Sequence, residues 1–142
     1  MFKLVKINKN NKDDQKILYE LLAKKKFNIS HNNLPNIREH CNFVLNNPYR
    51  VWFFLKNSIK VVGSVYLTKD NIIGLNIPNA ETNDYVQCIS LVTKKLKPLE
   101  PIKSVRSKFF SVNVNPKNIK LIRALNLLKM EHVENTYILR EK

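Results

Sequence analysis

The alternation of apolar and polar positions divides the chain into ten short segments. Phe2 to Ile7 sets Phe2, Leu4, Val5 and Ile7 against Lys3 and Lys6, which predicts a strand. Asn10 to Asp14 opens a helix, with Asp13 and Asp14 in the first turn, where carboxylates suit the positive end of the dipole. Ile17, Leu18, Leu21 and Leu22 share one face of it, and Lys24, Lys25 and Lys26 close the far end. A second helix starts near Pro35, turns Ile37, Cys41, Val44 and Leu45 inward, and stops at Asn46-Asn47-Pro48. Arg50 to Lys56 carries Val51, Trp52, Phe53, Phe54 and Leu55, too apolar for a strand with one wet face. Asn57-Ser58 turns into Ile59–Leu67, and Lys69-Asp70-Asn71 turns into Ile72–Ile77, so three β-rich runs form an antiparallel meander.

Pro78 to Asp84 reads as a loop, with Asn83 as the N-cap of a helix through Leu96. Val86, Ile89, Val92 and Leu96 lie at helical spacing there, and Pro98 ends it. Ser107 to Val114 alternates again, Pro116 opens a helix to about Lys129, and Glu131 to Leu139 reads as a last strand with Val133, Tyr137 and Leu139 on one side. The order is strand, two helices, three strands, helix, strand, helix, strand. With no repeat, linker or low-complexity tract, it predicts one α+β domain over residues 1–142, with about six strands and four helices.

Composition narrows the class. A chain of 142 residues with 44% hydrophobic residues can bury a core without metal or disulfide, and its composition argues against disorder. The longest apolar run, Val51 to Leu55, is too short for a bilayer, and the polar-studded N-terminus does not read as a signal peptide. Cys41 and Cys88 lack metal-ligand spacing and read as buried thiols, so the expectation is a soluble cytoplasmic protein without a metal site or a membrane partner.

The formal charge of +14 admits an anionic partner, but it comes from 20 Lys and only 5 Arg beside 20 Asn, the skew of AT-rich coding DNA. Scarce Arg argues against a nucleic-acid interface, because Arg makes the bidentate contacts to phosphate and guanine. The densest basic group follows the third helix: Lys94, Lys95, Lys97, Lys103, Arg106 and Lys108 either face solvent or meet a polyanion.

Three stretches carry a family resemblance. Asn113-Val114-Asn115-Pro116-Lys117-Asn118, with Ile119 to Met130 behind it, resembles the strand–Asn-Pro-x-Asn–helix unit of the GNAT acyltransferase superfamily. That unit normally runs on into Leu-Gly-Phe, and Leu128-Lys129-Met130 stands there in this chain. Val61-Val62-Gly63-Ser64-Val65 and Ile73-Gly74-Leu75-Asn76-Ile77 are similar to the family's third strand and the start of its fourth. The likeness in element order spans the whole chain.

The resemblance implies a mixed sheet, its meander followed by a parallel end, and acyl transfer from acetyl-CoA to an amine acceptor of unknown identity. It further implies that the fourth strand splays from the fifth, and that the pantetheine arm lies in the gap against backbone groups of Leu75, Asn76 and Ile77. The pyrophosphate would then sit at the following helix N-terminus, on Asn83, Asp84 and Tyr85, where unpaired N–H groups favour an anion, and Asn118 would face the cleft.

Two features depart from the family. Its Gln/Arg-x-x-Gly-x-Gly/Ala signature falls on Thr82-Asn83-Asp84-Tyr85-Val86-Gln87, so Tyr85 and Gln87 fill both glycine positions, and Glu81 and Asp84 add negative charge. The tyrosine that many relatives use as acid toward the leaving thiolate would fall on Leu125, leaving Tyr137 and Tyr66 as the next donors. Glu39 is a candidate base beside the acceptor; Glu39 and His40 otherwise read as solvated helix residues, and His31 as a loop residue. Trp52, Phe53 and Phe54 either line an acceptor pocket or form core, and a central strand favours core. Two other functions compete with acyl transfer: a binding module of the same fold that has lost the reaction, and a basic nucleic-acid binder.

Overall fold

Two short turns fold the middle of the chain into the meander that its pattern predicts. Strands β2 (Val51–Lys56), β3 (Val61–Leu67) and β4 (Ile72–Asn76) pair antiparallel, and β1 (Lys3–Lys6) adds antiparallel to β2. On the far side β5 (Ser111–Val112) lies parallel to β4, which gives a five-stranded sheet in the order β1-β2-β3-β4-β5. Among the described residues, four helices complete the α+β fold: α1 (Lys12–Ala23), α2 (Ile37–Asn46), α3 (Thr82–Lys95) and α4 (Ile119–Leu127). The computed structural model describes residues 1–27 and 33–141, so His31 lies outside the described residues.

The sheet is buried on both faces, which explains the apolar run of β2. Successive side chains of a strand point to opposite sides. Phe53 and Leu55 therefore join Val65, Leu67 and Ile73 against Tyr85, Cys88, Ile89 and Val92 of α3 and Leu121 and Ala124 of α4. Phe54 points the other way, into Leu18 and Leu21 of α1 and Val44 of α2. Burying each such aromatic or aliphatic side chain contributes about 1.5–3 kcal/mol. Trp52 sits at the rim of the second layer in an aromatic cluster, edge-on to Tyr49, Phe43 and Tyr66.

Both glycines serve close approaches along β3 and β4. A Cβ on Gly63 would stand 2.6 Å from the Asn76 carbonyl oxygen, and one on Gly74 would stand 2.0 Å from the Tyr66 ring. Tyr66 cannot retreat freely, because it stacks on Tyr49 with centroids 3.8 Å apart. Gly74→Ala is therefore expected to lower stability by about 1–3 kcal/mol, as overpacking does. Urea denaturation checks it, and an unchanged midpoint would mean that the ring swings aside.

Four boundaries differ from the sequence pattern. The sheet has five strands rather than six, because residues 131–141 form no ladder although Glu131–Leu139 alternates like a strand. Alternation supplies propensity, but a strand exists only beside a paired neighbour. The fourth predicted β-run shrinks to Ser111–Val112, since Ser107 gives its carbonyl to the Asn71 amide and the residues before it close a loop through an Ile102–Arg106 bridge. Helix α3 starts at Thr82 with Glu81 at its N-cap, so Asn83 is already helical. Helix α4 starts at Ile119, after Asn118 has capped it.

Among the described residues no helix is long and apolar enough to cross a membrane.

Candidate functional site

The sheet parts between its two parallel strands. Ile72 pairs with Ser111 and Ile73 with Val112, and the ladder ends there. The Ser111 N–H donates to the Asn71 carbonyl at 3.0 Å, while the Thr68 N–H donates to Ile72 at 2.9 Å on the β3 side. Backbone groups of a strand alternate in direction. Asn71, Ile73 and Leu75 thus face β5, while Ile72, Gly74 and Asn76 face β3. Leu75 consequently turns its N–H and C=O into the parting, and Asn76, in register with Ser64, spends its backbone on β3.

A cleft of about 290 Å³ occupies this parting. One wall is Leu75, Asn76, Ile77, Pro78 and Ala80; the other is Lys117, Asn118, Ile119 and Lys120; Lys25, Lys26 and Phe27 reach across from the end of α1, and Tyr85 completes the lining. Asn76 ties α1 to the wall by donating its side-chain amide to the Leu21 carbonyl at 3.1 Å, one of the carbonyls a helix end leaves without an intrahelical donor.

Two buried polar side chains meet in the lining. Asn118 caps α4: its Oδ1 accepts the Leu121 N–H at 3.2 Å, which fixes the amide's orientation and aims its Nδ2 at the Tyr85 hydroxyl, 3.3 Å away. The Tyr85 oxygen therefore accepts, and its own proton has no acceptor among the described residues. Both residues are buried, at 6% exposure for Tyr85 and 7% for Asn118.

The start of α3 is already occupied by the chain's own carboxylates. Asp84 accepts the Glu81 N–H at 2.8 Å, and Glu81 pairs with Lys120 at 3.0 Å. The cations gather instead on the other walls as Lys25, Lys26, Lys117 and Lys120. Lys26 donates to Asn79 at 3.4 Å, and Lys25 is half-buried with its pKa lowered by desolvation. An anion in the cleft would reverse that shift, since opposite charge favours the ammonium.

The structure thus brings Leu75, Asn76, Ile77, Tyr85 and Asn118 to one cleft, and leaves Asn83 and Asp84 off its lining, Asn83 on the exposed first turn of α3. Tyr137 stands 88% exposed on the unpaired tail and is not part of the lining. Tyr66 lies across Gly74 in the aromatic cluster. Glu39 sits in the exposed first turn of α2, where its N–H donates to Asn36 Oδ1 at 2.9 Å and its carboxylate accepts from the Asn36 amide. Its neighbour His40 is buried rather than solvated: its Nε2 lies 3.0 Å from the Gln15 carbonyl, its ring packs on Tyr19, and burial lowers its pKa, so it joins α2 to α1.

Of the six basic residues from the last turn of α3 to Lys108, Arg106 is spent on the carbonyls of Glu100 and Lys69, and none lines the cleft. The four lysines that do line it come from positions some ninety residues apart, which no local pattern links. Burial pushes the Cys88 thiol up to about 12, far from a reactive thiolate at neutral pH, and Cys41 is half-buried. Among the described residues no group of three His, Cys, Asp or Glu side chains could hold a metal.

No protein-family model matches the chain, and no curated protein does. Among solved structures, it is similar to the crystal structure of a possible acetyltransferase from Clostridium difficile 630, at 11% identity and a TM-score of 0.60, over 100% of this chain and 98% of that one. A likeness at that identity shows the shared fold alone, a five-stranded mixed sheet with four helices among the described residues.

Proposed function

We propose that the chain binds an acyl-CoA thioester in the parting between β4 and β5 and transfers the acyl group to an amine. The observation that carries this reading is the end of the β4–β5 ladder at Ile73, which leaves Leu75 facing an open cleft instead of a neighbouring strand. The fold shared with a possible acetyltransferase supports it.

When bound, the thioester supplies an electrophilic carbonyl and a thiolate leaving group. The Leu75 N–H is a preorganised donor for a carbonyl oxygen, and the Leu75 C=O an acceptor for an amide N–H of the arm. The Tyr85 hydroxyl holds a proton in the lining of the cleft, its oxygen steadied by Asn118. Lys26, Lys117 and Lys120, with Lys25 behind them, supply the positive charge for phosphate groups that the carboxylates of Glu81 and Asp84 repel from the α3 N-terminus.

Calorimetry with acetyl-CoA tests the reading, supported by thermal shift: ligand at a hundredfold its dissociation constant should add about 2.7 kcal/mol of stability. Paired substitution Lys117→Gln/Lys120→Gln is expected to weaken acetyl-CoA about tenfold or more, the equivalent of about 1.4 kcal/mol, and to leave acetyl-pantetheine unchanged. Equal losses for both ligands would show that these lysines shape the cleft and do not read phosphate. One observation favours a second reading, a binding module of the same fold without acyl transfer: Asp84 caps the helix end on which an incoming pyrophosphate would rest. No stabilisation at millimolar acetyl-CoA would select it.

A further inference from the structure

The last segment of the chain is the least explained by its own fold. Residues 131–141 run on from α4 with no ladder to any described strand. Their apolar side chains stand in solvent: Val133 at 74% exposure, Tyr137 at 88% and Leu139 at 100%. These three share the side that alternation gives the odd positions, with Asn135 between them, while Ile138, 62% exposed, falls on the other side. A row of exposed large apolar side chains on an unpaired extended segment is a liability that soluble chains rarely leave open.

The matching surface is on the same molecule. Strand β5 ends the sheet, and its inner side is spent on β4 through the Ser111 N–H and the Asn71 carbonyl. By alternation, Phe110 and Val112 turn their N–H and C=O groups outward, where no described strand lies. The run into β5 leaves Val105 and Phe109 each 65% exposed, so this edge also lacks apolar cover.

Charge points the same way. The chain carries 11 acidic and 25 basic residues. Setting aside Glu131, Glu134, Glu141, Arg140 and Lys142 leaves 8 acids and 23 bases in residues 1–130, a formal +15. The tail is thus the one net-acidic end of a strongly basic body, and Lys103 and Lys108 lie in the run of chain that leads into β5. A partner carrying the body's charge attracts it; a second copy carries that charge by necessity.

We propose that residues 131–141 of each chain add as a strand along the outer edge of β5 of a second copy, the two tails exchanging reciprocally to form a two-fold dimer. The hinge suits exchange over self-pairing. It is short, and it is set at the end of α4 by Lys129 N–H to Asn126 and Met130 N–H to Leu125, with Lys129 held at φ 58°, a left-handed conformation that costs a residue with a Cβ. Short strained hinges favour a tail that reaches another molecule over one that folds back.

Light scattering on eluted fractions across a concentration series tests this, together with Tyr137→Lys/Leu139→Lys. Both substituted side chains are exposed in the single chain, so the variant should melt as a folded domain. The expected result is a mass twice that of one chain for the unaltered protein, a shift to single-chain mass for the variant at the same concentrations, and dissociation of the dimer by excess peptide of residues 131–142. Slowed hydrogen exchange of tail amides should accompany the dimer alone. A single-chain mass at every concentration overturns the proposal, including when the tail amides are protected, since the tail would then pair with its own β5. A dimer that survives the double substitution overturns it too, by moving the interface elsewhere.

Discussion

Replacing Asn71 by alanine is expected to cost about 3–5 kcal/mol of stability, the sum of three lost hydrogen bonds and a backbone penalty. Asn71 is fully buried at 0% exposure, and all of its polar atoms are used. Its Nδ2 donates to the carbonyls of Leu99 at 2.9 Å and Ser107 at 2.8 Å, and its Oδ1 accepts the Leu99 N–H at 2.8 Å. Its φ of 65° is left-handed, which asparagine tolerates and alanine does not. Alanine would therefore remove three part-buried hydrogen bonds to backbone groups and add strain. Glycine at the same position keeps the conformation and loses the bonds, so Asn71→Gly should be about 1 kcal/mol less damaging than Asn71→Ala. Urea denaturation of the two variants separates the terms; equal losses would mean that the left-handed backbone carries no cost.

The same residue matters to function because of where its bonds go. The loop that it pins, residues 97–107, delivers the chain to β5, and the Asn71 carbonyl takes the Ser111 N–H that starts the β4–β5 ladder. Loosening that start changes where the two strands part. Even under conditions where Asn71→Gly remains folded, it is expected to bind acetyl-CoA more weakly than the unaltered chain. Asn71 is thus a positioning residue: it touches nothing in the cleft, and it sets the hinge from which the cleft opens.

Much of this was legible because it is local. The meander announces itself through two polar turns between β-rich runs, and Lys69-Asp70-Asn71 names its second turn, including the asparagine that takes the left-handed position. The helices follow from apolar spacing and caps, with Asn11 accepting the Asp14 N–H and Asn36 the Glu39 N–H. Even the departure at Leu128-Lys129-Met130 keeps its geometry, since Lys129 adopts the left-handed conformation that a glycine would take there without cost.

What stayed hidden depends on distant contacts. His40 resembles a solvated helix residue in the pattern, yet it is buried because Gln15 of α1 supplies a carbonyl and Tyr19 a ring. The lysines of the cleft converge from the end of α1 and the start of α4, so composition alone made them background. The tail pattern is real as propensity, but pairing is a property of two strands, and residues 131–141 lie in no ladder with a described strand. The glycine positions filled by Tyr85 and Gln87 mislead in a different way. Both positions lie inside α3, and Tyr85 introduces the one hydroxyl in the cleft lining among the described residues.

That hydroxyl leads to the largest effect expected on turnover. Tyr85→Phe should reduce acyl transfer from acetyl-CoA by about a hundredfold, the lower range for loss of a positioned proton donor. Binding of the thioester should change little, and the missing hydrogen bond to Asn118 should cost stability only about 0.5–1.5 kcal/mol. The reason lies in the direction of that bond. Because Asn118 Nδ2 donates to the Tyr85 oxygen, that oxygen accepts, and the hydroxyl proton is left without an acceptor among the described residues. An alkyl thiolate needs that proton as it departs, whereas an aryl thiolate is stable without it. The loss should therefore shrink toward unity with an S-phenyl acetyl thioester, measured on the same two proteins by release of the free thiol. An equal loss with both thioesters would show that Tyr85 only supports the cleft wall, and the proton would then have to come from solvent.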